Sequence, residues 1–144
     1  MSRNVFISMH AQPLHVGHIE YIRLAKALAR GRGGKLIVCL NNDYQAVLKK
    51  GSSFMNENER LVIVQALRDV DIAFISVDTD RSVCESLRYA ARVWGVGAVG
   101  QGGDRNSGEV PETPVCRELG IEMVDGLGGK IQSSSALTGI KATC

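Results

Sequence analysis

Val5-Phe6-Ile7-Ser8-Met9-His10-Ala11-Gln12-Pro13-Leu14-His15-Val16-Gly17-His18 is the stretch whose change of rhythm decides the fold. Its first five residues form a short apolar run rich in β-formers, the pattern of a strand buried on both faces. A turn follows at Gln12-Pro13. Beyond it, Ile19, Ile22, Ala25 and Leu28 recur every three residues with Glu20, Arg23 and Lys26 between them. That spacing predicts an amphipathic helix with the four apolar residues inward. Gly31-Arg32-Gly33-Gly34 ends it, since glycine tolerates the left-handed conformation needed there.

The alternation continues outward from this unit. Residues 35–40 read as a second buried strand, 58–68 as an amphipathic helix with Leu61, Val64 and Leu67 inward, and 72–77 as a third strand. A helix over 82–92, a strand over 95–99, a short helix over 114–119, a strand over 121–124 and a helix starting at Ser133 complete the pattern. Continuous apolar strands alternating with helices predict a single α/β domain over 1–144, a doubly wound parallel sheet of Rossmann-like type. In such a sheet ligands bind beyond the carboxyl ends of the strands.

Composition narrows the function. The 144 residues are 44% hydrophobic with a formal net charge of +2, a balance that by itself calls for neither nucleic acid nor an anionic membrane. No stretch approaches the roughly 20 apolar residues of a membrane span. The opening apolar run is too short for a secretory signal. Cys39, Cys84, Cys116 and Cys144 form no C-x-x-C pair and lie at no zinc-finger spacing from a histidine. A cytoplasmic protein with reduced thiols is expected.

All three histidines, His10, His15 and His18, fall within nine residues, directly after the first strand. At a helix start, His15 and His18 can face the same side. Gly17 lets a bulky group approach the backbone between them. Helix N-termini attract phosphate through amide donors and the dipole. Imidazole donors can add stabilisation for charge developing on a phosphoryl group. Two plainer readings stand beside this: one histidine caps the helix and the rest are incidental, or the cluster binds zinc, although no carboxylate or cysteine lies close in sequence.

Pro13-Leu14-His15-Val16-Gly17-His18 resembles the H-x-G-H motif of the cytidylyltransferase-like nucleotidyltransferases, a superfamily that includes heptose-phosphate adenylyltransferases and glycerol-phosphate cytidylyltransferases. Further segments are similar in the same order: Asn41-Asn42-Asp43 after the second strand, Leu48-Lys49-Lys50-Gly51, Glu59-Arg60 with Ala66-Leu67 and Val70-Asp71, Gly102-Gly103-Asp104, and Ser133-Ser134-Ser135. The resemblance implies that His15 and His18 hold the α-phosphate without a covalent intermediate, and that Lys49 acts with them. Lys50 and Lys130 would meet the outer phosphates, supported by Ser133, Ser134 and Ser135. Gly17 would lie against the triphosphate, and Gly102, Gly103 and Asp104 would border the nucleoside. The superfamily usually has G-T-F-D where Met9-His10-Ala11-Gln12 stands; Met9, His10 and Gln12 are therefore placed at the nucleotide edge, with the acceptor left open by the change.

The reaction implied is transfer of AMP or CMP from ATP or CTP, with Mg²⁺ on the phosphates, to a small phosphorylated acceptor, either a sugar phosphate or a phospho-alcohol. A homodimer is implied as well, and no metal site is expected on the protein itself. Two rivals remain: a catalytically silent nucleotide-binding regulator of the same fold, and an assembly subunit. The second would need a large exposed apolar patch, which the sequence does not display.

Overall fold

A computed structural model describes residues 2–102 and 110–127. Its strands β1 (Val5–Met9), β2 (Leu36–Leu40), β3 (Ile72–Ile75), β4 (Ala98–Gly100) and β5 (Glu122–Val124) form one parallel sheet in the order β3-β2-β1-β4-β5. Helices α1 (Val16–Arg32), α2 (Asp43–Lys50), α3 (Glu57–Gln65), α4 (Cys84–Val93) and α5 (Thr113–Leu119) connect them. Side chains alternate across the strands and so build two cores. Val5, Ile7, Leu36, Val38 and Leu40 pack with Ile22, Ala25 and Ala29 of α1 and Val64 of α3. Phe6, Ile37, Cys39 and Val99 pack on the opposite face with Leu87 and Ala90 of α4 and Val115 and Cys116 of α5. The sheet is thus doubly wound, as the continuous apolar strands predict.

The chain winds outward from β1 through β2 to β3, then returns to place β4 on the other side of β1. A crevice opens at such a reversal, beyond the carboxyl ends of the two strands that flank it. The β1–α1 loop and the residues after β4 lie there. At the opposite edge, Asp71 ties the sheet together: it accepts from Lys26 Nζ at 2.6 Å and from the Leu36 amide at 2.8 Å. Val70-Asp71, one of the segments behind the resemblance, is therefore a clamp far from the crevice.

Several boundaries differ from the sequence reading. Residues 43–50, unassigned there, form α2, started by Asn42, whose side chain accepts from the Gln45 amide while its own amide donates to Gln45 Oε1. The helix expected over 58–68 stops at Gln65, and the strand expected over 95–99 begins at Ala98, because Gly95 takes a left-handed φ of 82°. Ile19, expected inward, is 41% exposed. A strict three-residue step lags the helix by about 60° each time, so burial follows Ile22, Ala25 and Ala29 instead. Leu61 and Leu67 are only partly buried. On α3, Val62 (66% exposed) and Ile63 line, with Asn58 and Glu59, a depression of about 390 Å³, an apolar surface that sequence reading did not expose. The helix expected at Ser133 lies outside the described residues. Among the described residues, no helix is long and apolar enough to cross a membrane.

Candidate active site

The loop that leaves β1 is gripped from below by a buried arginine. Arg60, 1% exposed, reaches from α3 and donates from Nη1 to the carbonyls of His10 (2.8 Å) and Asn41 (2.6 Å), and from Nε to that of Met55 (3.0 Å). Its Nη2 pairs with Asp43 Oδ1 at 3.0 Å. Burial works against ionising Asp43, but the bonds from Ser53, its backbone link with Glu57 and the guanidinium outweigh it and hold the carboxyl below its usual range. Sequence reading placed Glu59-Arg60 in the resemblance but missed this grip. The available signal was a lone arginine beside the inward-facing Leu61 and Val64.

On that base the two histidines open α1. His15 is the N-cap, with φ −143° and ψ 179°. Its Nδ1 accepts from the Gly17 amide at 3.0 Å, and the His15 amide in turn donates to His18 Nδ1 at 3.1 Å. The rings stack with centroids 3.9 Å apart. A neutral ring nitrogen that accepts a hydrogen bond carries no proton, so these bonds assign the proton of each ring to Nε2. The capping reading is realised, and capping uses one nitrogen of each ring and leaves the other as a donor. The amides of His15 and Gly17 are consumed by the rings, so these two are not free donors at the helix start.

Both imidazoles are held neutral. Burial is the main cause for His18, with His15 and Lys50 adding repulsion, and lowers its pKa to about 4. His15 is lowered by burial and then by Lys50. The Lys50 ammonium, in the last turn of α2, therefore acts on both rings, and burial lowers its own pKa in turn. Lys49 precedes it in the same turn.

The first turns of α2, α3 and α4 carry Asp43, Glu57 with Glu59, and Glu85, whereas those of α1 and α5 carry no acid, and α5 has Glu112 as its N-cap residue. At α4 the position an anion would take is filled by Asp78, whose carboxylate accepts from the amides of Glu85 and Ser86 at 2.8 Å each. The start of α1 thus combines the positive dipole end, two Nε2 donors and a nearby ammonium. This arrangement can hold phosphate and stabilise added charge on it.

The remaining candidates fall into three groups. Met9, His10, Gln12 and Gly17 share the β1–α1 loop with the histidines. The Tyr21 hydroxyl donates to the Gly100 carbonyl at 2.6 Å, which sets the residues after β4, with Gly102 among them, against α1. Gly103, Asp104, Lys130, Ser133, Ser134 and Ser135 lie outside the described residues. Among the described residues, no three His, Cys, Asp or Glu side chains group so as to hold a metal ion. Cys39, Cys84 and Cys116 are free thiols, and burial raises the pKa of each, to about 11 in Cys116.

Residues 10–99 match the family described as cytidylyltransferase-like. The chain is 31% identical over 133 residues to the bifunctional protein HldE of Syntrophotalea carbinolica, covering 90% of this chain and 23% of that protein. It is 34% identical over 67 residues to the FAD synthase of Methanothermus fervidus, 46% of each chain. The chain thus spans about a quarter of the HldE protein and about half of the FAD synthase. Among solved structures, it is similar to the lipopolysaccharide core biosynthesis protein from Thermoplasma volcanium GSS1, with a TM-score of 0.65 and 24% identity over 85% of this chain and 93% of that one.

Proposed function

The chain belongs to the cytidylyltransferase-like family, and from that premise we propose that it transfers AMP or CMP from ATP or CTP to a small phosphorylated acceptor, with release of pyrophosphate. The observation that carries this reading is the stacked pair His15 and His18, each with Nδ1 tied to the backbone and Nε2 left to donate.

In the proposed reaction an oxygen of the acceptor's own phosphate attacks the α-phosphorus in line. The bond from that phosphorus to the β-bridging oxygen breaks, and its electron pair leaves on pyrophosphate. The attacking oxygen is already anionic near neutral pH, so no general base is needed. His15 and His18 donate from Nε2 to α-phosphate oxygens, where charge builds in the transition state. Lys50, with Lys49, meets the outer phosphates as a compact charge, joined by Lys130 and Ser133 to Ser135. Met9, His10, Gly102, Gly103 and Asp104 border the nucleoside. Catalysis then rests on positioning and charge stabilisation, with nothing covalent on the protein.

Magnesium fits this site as an ion brought by the triphosphate. Such ions keep several waters and lean on phosphate oxygens. Its contribution there is to neutralise phosphate charge.

The similarity of Asn41-Asn42-Asp43, Leu48-Lys49-Lys50-Gly51, Ala66-Leu67 with Val70-Asp71, and Gly102-Gly103-Asp104 to segments of heptose-phosphate adenylyltransferases favours ATP with a sugar phosphate. A relative named for making FAD, which contains an AMP unit, supports the same base. CTP with a phospho-alcohol is the neighbouring choice. The test is pyrophosphate release with ATP, CTP, GTP and UTP, each against sugar phosphates and phospho-alcohols. Release that needs both one nucleotide and one acceptor is the expected result. Nucleotide binding with no release under any pairing would favour a silent regulator.

A further inference from the structure

Gln12 is 2% exposed, and its carboxamide is used at one end only. Oε1 accepts from the Phe54 amide at 2.7 Å, with the Met55 amide at 3.4 Å and the Ser53 hydroxyl at 3.5 Å around it. The backbone amides of Phe54 and Met55 about one atom fix which end of the amide is oxygen. Nε2, at the other end, is buried without a hydrogen-bond partner among the described residues. A buried donor left unpaired is costly, so stability alone is a poor reason for this residue here. What the carbonyl end secures is a connection between two loops. Ser53, Phe54 and Met55 belong to the segment that follows Lys50 and Gly51, and Gln12 lies three residues before His15. The same segment is anchored from its other side: Ser53 Oγ donates to Asp43 Oδ1 at 2.8 Å, and Asp43 pairs with the Arg60 that grips the His10 carbonyl. A closed circuit therefore runs from the histidine loop through Gln12 to the lysine segment, and back through Asp43 and Arg60.

We propose that Gln12 is a positioning residue: by accepting the Phe54 amide it draws the segment that follows Lys50, and with it the end of α2, against the histidine loop, so that the ammonium and both imidazoles face one ligand. This rests on the nucleotidyltransferase reading for its kinetic consequence, but not for its structural one.

Two substitutions separate the ends of the amide. Gln12→Met keeps the length and removes the accepting oxygen. Gln12→Glu keeps an oxygen for Phe54 and exchanges the unpaired amide group for a second, ionisable oxygen. In ligand-free protein, Gln12→Met should let Lys50 move away and raise the His15 and His18 titration midpoints seen by NMR, with Gln12→Glu leaving both lysine and rings in place. In turnover, Gln12→Met should raise the KM for the triphosphate by about tenfold, the scale of one lost charge-assisted contact, with a smaller change in kcat, and Gln12→Glu should restore it. Unchanged histidine midpoints in a folded Gln12→Met would overturn the proposal. So would a Gln12→Glu variant as impaired as Gln12→Met, which would make the amide group a direct ligand contact. A Gln12→Met chain that does not fold would overturn it too, by making Gln12 a residue of stability. The NMR arm stands even if no pairing of substrates releases pyrophosphate, so the two readings fail separately.

Discussion

Protonating His18 would set a new Nδ1 proton against the amide proton of His15, which that nitrogen now accepts. The site therefore depends on neutral imidazoles, and the burial that keeps them neutral carries a cost in acid. The folded pKa of His18, about 4, lies below the ordinary value of 6.5. Between these limits the unfolded chain binds a proton that the folded chain does not. Stability from this residue is thus fully present above pH 6.5, falls as the pH drops toward 4, and levels off below. NMR of the ring nitrogens should show Nε2-protonated tautomers in both histidines, with His18 titrating near 4 and Lys50→Gln raising both midpoints. A His18 midpoint near 6.5, or a proton on Nδ1, would contradict the geometry. Much of this was legible in sequence, because the imidazoles lie three residues apart and declare their chemistry by identity. Which nitrogen donates was not, since that is fixed by backbone amides whose directions exist only once the helix has formed.

At the scale of elements, α3 acts on the site through Arg60, with Glu57 accepting from the Asp43 amide beside it. Replacing Arg60 would leave the carbonyls of His10, Asn41 and Met55 without their donor and the half-buried Asp43 carboxylate with Ser53 in place of the ion pair. Removing one partner from such a network costs about 3–5 kcal/mol. Arg60→Met should lower the unfolding free energy by about that amount in urea titrations, and a loss below about 1 kcal/mol, the scale of a surface pair, would refute the role given to it. Backbone packing makes a second prediction. A Cβ added at Gly97 would sit 1.9 Å from the Ser2 carbonyl oxygen, so Gly97→Ala must push the chain start off the sheet and lower the melting temperature. Sequence patterning found the strands because burial on both faces leaves them uninterrupted. It missed α2, although Asn42 and Gln45 spell a capping box, because the helix is only eight residues long and buries only Gln45 and Ala46. It also placed Ile19 inside, where a helix start at the crevice mouth is open to solvent.

For the molecule as a whole, the reversal of strand order beside β1 decides where chemistry can occur, and the sequence puts its three histidines there. The order β3-β2-β1-β4-β5 brings together loops that are distant in the chain, such as Gln12 with Phe54 and Tyr21 with Gly100. Those pairings follow from topology and were invisible to local spacing. A triphosphate seated at this crevice binds the native state only, so saturating ATP or CTP with Mg²⁺ should raise the melting temperature. At 100 times the dissociation constant the gain is about 2.7 kcal/mol. Calorimetry that finds no shift with any of the four triphosphates would remove the crevice as their site.

The most direct measurement is the rate of pyrophosphate release by His18→Ala, compared with the parent chain under saturating substrates. Loss of the Nε2 donor at the reacting phosphate should lower kcat by about a thousandfold or more, with circular dichroism unchanged. A His18→Ala chain that keeps its rate would contradict the account at its centre.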